Sequence, residues 1–183
     1  MFETTGALLL VFCGIAVFFV VLMIARAVSG NGVGARQKKQ AQSVIVDGSN
    51  VMHWDGGTPR IKPVQSVVDR LKDQGYMPGV VFDANAGYLL TGKYQHDMSL
   101  SRELGLPEKN VMVVPKGTPA DPMILQAARD MNARVVSNDR FRDWAGEFPE
   151  IRRKGFLIRG RYKSGSLTLN LPVAAPQASE AAL

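Results

Sequence analysis

The sequence predicts an α/β domain with a central, mainly parallel sheet, preceded by one N-terminal transmembrane helix. Two observations carry the α/β reading. Short β-branched runs (Val44-Ile45-Val46, Val80-Val81-Phe82, Val111 to Val114, Val135-Val136) alternate with segments of helical apolar spacing. The runs are apolar throughout rather than alternating, as strands covered on both faces are. A third observation predicts the membrane span: 20 uncharged residues from Gly6 to Ala25 are long enough, at about 1.5 Å per residue, to cross a hydrocarbon core of about 30 Å.

Composition bounds the problem. A chain of 183 residues holds one globular domain and an appendage. With 46% apolar and 21% charged residues, neither a wholly disordered nor a collagen-like chain fits. Cys13 is the only cysteine, which excludes an internal disulfide scaffold and a cysteine-rich zinc site together. The formal charge of +6 points to a polyanionic partner, either nucleic acid or an anionic membrane surface.

Taken in order, the elements begin with the helix at 6–25. Its rival is a cleaved signal peptide, for which Ala25-Arg26-Ala27 mimics a cleavage site, but the apolar region is too long and Met1-Phe2-Glu3 lacks a positive start. Arg26, Arg36, Lys38 and Lys39 follow the span, so the positive-inside rule puts the N-terminus outside and the domain in the cytoplasm, at the cell membrane. Residues 26–42, rich in Gly, Gln and Lys, are expected to form a flexible basic linker. Ser43 to Asp47 reads as a strand followed by a turn at Gly48. Ile61, Val64, Val67, Val68 and Leu71 follow helical spacing, with Pro63 in the first turn and Gly75 as the stop. A strand from Val80 to Asp83, a helix from Met98 to Leu104 closed by Gly105, and a strand from Val111 to Val114 come next. Asp121 to Met131 carries an apolar stripe of Ile124, Leu125, Ala127, Ala128 and Met131 and is read as a helix. Arg134 to Ser137 is the fourth strand and Phe156 to Ile158 a fifth. The domain is expected to span 43–171, with a disordered Ala- and Pro-rich tail at 172–183.

Three of these strands finish in an aspartate: Asp47, Asp83, and Asp139 two residues beyond Ser137. Ligands bind beyond the carboxyl ends of parallel strands, so the three acids converge if the strands are neighbours. Asp121 opens a helix, and Asp143 follows Asp139 by four residues, on the same side if that stretch is helical. Carboxylates crowded into one cleft repel unless a cation neutralises them, and oxygen ligands suit Mg²⁺ or Mn²⁺. Such an ion ionises water and stabilises the charge on a phosphodiester transition state. Each acid alone has a structural reading as a turn residue or helix cap, as have Ser49, Asn50 and Asn138. Three acids at three strand ends favour the shared site, since turns accept Gly, Asn or Ser as readily. His53 and His96 form no recognisable pair. The basic run of Arg152, Arg153, Lys154, Arg159, Arg161 and Lys163 has two readings, an RNA-binding rim or a solvated or membrane-facing surface.

The ordered trio Val44-Ile45-Val46-Asp47-Gly48-Ser49-Asn50-Val51, Ala120-Asp121-Pro122-Met123-Ile124-Leu125 and Val135-Val136-Ser137-Asn138-Asp139-Arg140-Phe141-Arg142-Asp143 resembles the NYN branch of PIN-like ribonucleases. It is most similar to the endoribonuclease domain of CCCH zinc-finger RNases, over about Ser43 to Gly160. The resemblance implies a PIN-like Rossmannoid sandwich and metal-dependent cleavage of single-stranded or loop RNA. It implies an acidic cluster of Asp47, Asn50, Asp121, Asp139 and Asp143 as catalytic residues, with Asp47, Asp121, Asp139 and Asp83 as metal ligands. The family often has paired acids at the helix start, where this chain has Ala120. No CCCH finger accompanies the motifs, so RNA affinity is expected from the domain, its basic residues or a partner. Expected partners are RNA, the membrane and a second copy of the chain. Two rivals stand beside the nuclease: a non-catalytic RNA-binding tether of the same fold, and another phosphate-handling α/β hydrolase. A P-loop NTPase is disfavoured because no GxxxxGK[ST] loop is present.

Overall fold

A computed structural model of the chain describes residues 41–171. The expected transmembrane helix at 6–25, nearly all of the linker and the tail at 172–183 lie outside the described residues. Among the described residues no helix is long and apolar enough to cross a membrane.

The core is a five-stranded sheet, every pairing parallel. In chain order its strands are β1 (Ser43–Asp47), β2 (Met77–Phe82), β3 (Val111–Val113), β4 (Arg134–Val136) and β5 (Leu157–Ile158), and they lie side by side as β3-β2-β1-β4-β5. The chain winds outward from β1 to β2 and β3, then returns to the far side of β1 with β4. The order therefore reverses between β1 and β4, the place where an open parallel sheet leaves a crevice at its carboxyl edge. Side chains alternate between two buried layers. Val44, Val46, Val80 and Phe82 face the layer completed by helix α2 (Ile61–Asp73) and helix α4 (Asp97–Leu104). Ile45, Val81 and Val135 face the other, completed by helix α5 (Ala120–Asp130) with Phe141, Phe148 and Phe156. Burial on both faces explains the continuous apolar runs.

The structure differs from the sequence expectation at four places. The Asp47–Gly48 step is not a turn but the start of the short helix α1 (Gly48–Val51), capped by the Asp47 carboxylate, which accepts from the Asn50 N–H at 3.0 Å. A Cβ on Gly48 would lie 2.5 Å from the Phe82 ring, so only glycine lets that ring cover the helix start. Strand β2 begins at Met77, three residues before the expected start at Val80, and includes Pro78 and Gly79. The Pro78 carbonyl there accepts from the Asn110 amide at 3.0 Å. A further helix, α3 (Ala86–Thr91), ends on Gly92 in the left-handed conformation. Finally, an antiparallel hairpin, β6 (Gly160–Lys163) and β7 (Ser166–Leu169), follows β5 as a separate two-stranded sheet.

Candidate active site at the carboxyl edge of the sheet

Because β2, β1 and β4 are neighbours, Asp47, Asp83 and Asp139 all emerge at one edge. Asp121 reaches the same edge from the first turn of α5, where Pro119 precedes the helix and no side chain caps it. With Asp143, which follows Asp139 and acts on Asp121, five carboxylates arrive from four segments of chain.

Asp47 is 6% exposed and fixed at both oxygens: Oδ1 accepts from the Asn50 N–H, and Oδ2 from the Ser137 hydroxyl at 2.8 Å. Burial raises its pKa from 3.8 to about 6. The two hydrogen bonds act against the rise, and the charges of Asp121 and Asp83 add to it. Ser137, fully buried, also accepts from the Asp139 N–H at 3.0 Å, so one hydroxyl links the ends of β1 and β4. Asp121, half-buried, has its pKa raised by desolvation first and then by the charge of Asp139, with Asp83 and Asp143 contributing and the Trp144 indole N–H opposing.

The stretch after Ser137 is not an α-helix, so the condition under which Asp139 and Asp143 would share a helix face is not met. Asp139 Oδ1 accepts from the Phe141 N–H at 2.7 Å, closing an Asx turn, and a 3₁₀ turn covers Arg142–Trp144. Phe141 adopts φ 50° with its ring 2% exposed. Anchoring that ring in the core holds a non-glycine residue in the left-handed region and turns its neighbours outward. Asp139 and Asp143 therefore meet through the loop. They line a shallow concavity of about 580 Å³ together with Asn50, Asn138, Arg140 and Arg142.

Asn50 joins these pieces. Its Oδ1 accepts from the Trp54 indole at 2.8 Å and from the Asn138 N–H at 2.9 Å, an assignment that both donors require. The Asn138 side chain in turn pairs with the backbone of Gly160, donating to its carbonyl at 2.8 Å and accepting from its N–H at 3.2 Å. A Cβ on Gly160 would come within 2.5 Å of the Trp54 ring. The β6–β7 hairpin is thereby tied to the loop that carries Asp139.

The basic run is not one continuous rim. Arg152, Arg153 and Lys154 lie around a 3₁₀ turn, with the Arg153 guanidinium over the Phe156 ring at 5.8 Å. Arg159 donates to the Asn138 carbonyl beside the acids. Arg161 and Lys163 are exposed on one face of β6, opposite buried Tyr162.

Among the described residues no three carboxylate or imidazole side chains converge as a preformed metal centre. The donor set nevertheless fits a hard divalent cation in ligand type and charge. All its acids carry oxygen donors, the neighbouring carboxylates help to raise the pKa of Asp47 and of Asp121, and no ion pair among the described residues neutralises them; the two present are Arg60–Asp55 and Arg129–Glu150. Sequence reasoning passes over Ser137, Trp144, Arg140 and Arg142 as site residues. A serine within the SND motif is a usable signal for the first. Nothing local marks Trp144, which meets Asp121 across 23 residues of chain.

The comparisons agree with this geometry. The profile of the Zc3h12a-like Ribonuclease NYN domain matches residues 40–156. No curated protein matches the chain significantly. Two solved structures of nuclear protein-only RNase P 2 (PRORP2) from Arabidopsis thaliana are similar. They have TM-scores of 0.56 and 0.54 at 18% and 20% identity, and cover 90% and 87% of this chain. The chain spans 36% and 37% of theirs, and at such identity the likeness shows a shared fold. Membership of a ribonuclease family supports an endoribonuclease function for the domain. With the profile covering most of the chain and the motif acids gathered at one sheet edge, the chain belongs to the Zc3h12a-like ribonuclease NYN domain family.

Proposed function

We propose that the protein is a membrane-anchored, Mg²⁺- or Mn²⁺-dependent endoribonuclease that cleaves single-stranded or loop RNA in the cytoplasm. The observation that carries this reading is the set Asp47, Asp83, Asp121, Asp139 and Asp143, brought to one edge from four segments with their repulsion uncompensated. A bound divalent ion supplies the charge that ionises water and neutralises a phosphoryl group in the transition state. Asp47, Asp121 and Asp139 would hold it, with Asp83 alongside. Asp47 is ionised above about pH 6, and its two hydrogen bonds keep the carboxylate in a single orientation. Asn50 spends its carbonyl oxygen on Trp54 and Asn138, which leaves its Nδ2 hydrogens to donate to a phosphate oxygen. Arg140 and Arg142, exposed on the rim, balance substrate charge as the phosphodiester approaches the acids.

Two further parts of the proposal rest on sequence. The uncharged stretch at 6–25 and its basic flank support the anchor and its direction. Arg159, Arg161 and Lys163 support contact with the RNA backbone. The tether reading keeps one observation in its favour: Ala120, buried at the start of α5, stands where the family often carries an acid.

One assay separates the readings. The full chain in detergent is given a labelled single-stranded RNA with Mg²⁺, with Mn²⁺ and with chelator. Internal cleavage that stops on chelation is expected. Cleavage that persists in chelator overturns the metal-dependent mechanism, and tight binding without cleavage establishes the tether. For topology, protease added to intact cells should spare the domain; its digestion there removes the proposed orientation.

A further inference from the structure

Beside the acids, beyond the ends of β2 and β3, lies a second concavity of about 710 Å³, within the size range of small-molecule sites. Its floor is Ala84, which follows Asp83, together with Val113, Val114 and Pro115. Its wall carries Tyr88 from α3 and Tyr94 from the loop before α4. These rings are 56% and 60% exposed, with centroids 6.3 Å apart and planes at 51°. Of the exposed large apolar side chains among the described residues, Tyr88 and Tyr94 line this cleft, and Leu89 and Met98 lie near them in the chain. A patch so placed marks a binding surface more often than chance exposure.

We propose that this cleft is a nucleobase-binding subsite, in which unpaired bases of the RNA stack on Tyr88 and Tyr94 while the adjoining phosphodiester lies at the carboxylate edge. The inference rests on RNA being the substrate. Three features support it. The cleft adjoins the acids along the chain, since its lining residue Ala84 directly follows Asp83 and Pro115-Lys116 precede the helix that carries Asp121. The ring-bearing segment is held in place. Gly87 packs directly on the backbone N of Gln95, where any side chain would collide, and the Thr91 hydroxyl donates to the Gly87 carbonyl at 3.0 Å. The two tyrosines are thus positioned before a ligand arrives, which lowers the ordering cost of binding. The charge in the cleft suits bases rather than phosphates. Asp97 and Glu108 oppose Lys116 there, Asp97 is engaged with the Val113 N–H at 2.7 Å, and the Asn85 amide and the His96 ring offer hydrogen-bonding groups to base edges. Stacking on aromatic faces binds single strands with little sequence preference, because every base has a π-face.

The test uses the full chain in detergent with chelator present, so that no strand is cut. Fluorescence anisotropy measures binding of a labelled single-stranded oligoribonucleotide and of an abasic ribose-phosphate oligomer of equal length. The intact chain should bind the base-bearing strand about tenfold or more tightly, the scale of one stacked base. Replacing both rings (Tyr88→Ala with Tyr94→Ala) should abolish that preference while leaving the salt dependence unchanged, since no phosphate-binding group is removed. Tyr88→Phe with Tyr94→Phe should keep it to within about twofold, because the ring faces remain. Equal binding of the two oligomers by the intact chain overturns the subsite while leaving RNA as substrate. Binding of neither overturns both readings. A preference that survives loss of both rings also overturns the subsite. The oligomer comparison needs no variant, so it decides the matter even if the alanine protein does not fold.

Discussion

The two halves of the sheet's carboxyl edge are built in opposite ways. Beyond β1 and β4 the side chains are charged, and at their centre Asp47 and Ser137 are buried and committed to one another. Beyond β2 and β3, past Asp83, the cleft presents two aromatic side chains, Tyr88 and Tyr94, which keep most of their surface in water. The contrast follows from what each chemistry needs. A carboxylate that must stay charged in a desolvated crevice has to be fixed by donors, or it takes up a proton. A ring that recognises a flat base needs only to present its face. Turnover should therefore depend on the first half and affinity for bases on the second.

The largest effect expected from that division is on Asp139→Asn. Its shape and its hydrogen bond from the Phe141 N–H can persist while the charge is lost. Loss of several kcal/mol of transition-state stabilisation corresponds to more than about a hundredfold in cleavage rate, with RNA affinity nearly unchanged. Single-turnover cleavage and anisotropy measured side by side check this; a parallel fall in both would erase the distinction between the two halves.

Next comes Asp47, whose effect is on stability and has a definite sign. Its folded pKa of about 6 lies above the ordinary 3.8, so the folded state holds the proton more tightly than the unfolded chain does. Charging the buried group costs stability in full above about pH 6, and the cost is relieved as pH falls towards 3.8. The difference is about 3 kcal/mol. Without divalent ions, the wild type should therefore gain stability from this group between pH 7 and pH 4. Asp47→Asn should be the more stable protein at pH 7.5 and should show a flatter profile in denaturant titrations. A variant less stable than wild type at pH 7.5 would mean that the cap on Asn50 outweighs the burial of charge.

Ser137→Ala sharpens the same half. It leaves Asp47 Oδ2 and the Asp139 N–H without their shared partner, at a cost of about 1.5–3 kcal/mol for a hydrogen bond to a charged group. Since that bond lowers the Asp47 pKa, its loss should also move the acidic limb of the rate–pH profile to higher pH. A simple loss of stability with an unmoved limb would make Ser137 structural alone.

The smallest effect is expected on the hairpin. Replacing Arg161 and Lys163 by alanine should weaken RNA binding and flatten its logarithmic salt dependence by about 0.7 for each phosphate that is no longer neutralised. An unchanged slope would assign both side chains to solvent or to the membrane surface.

Much of this molecule is written locally in the chain. The strands at Ser43–Asp47 and Arg134–Val136 and the helices ending at Gly75 and Gly105 follow from apolar period and from glycine as a stop, which short-range sterics and burial determine. The motif acids were legible too, because strand ends are local features. The hairpin at 160–169, the helix at Ala86–Thr91 and the true start of β2 were not legible. Polar alternation, a Gly-Tyr-rich segment and a Pro-Gly pair each carry weak local signals that packing overrides. Only the tertiary structure decided that β4 lies beside β1 and not beside β3, and with it that Ser137 reaches Asp47 across 90 residues of chain. Strand order depends on which apolar faces close over which helices, a long-range balance of burial against chain closure that no window of sequence contains. The acids are written in the sequence, and the sheet puts the strands that carry them side by side.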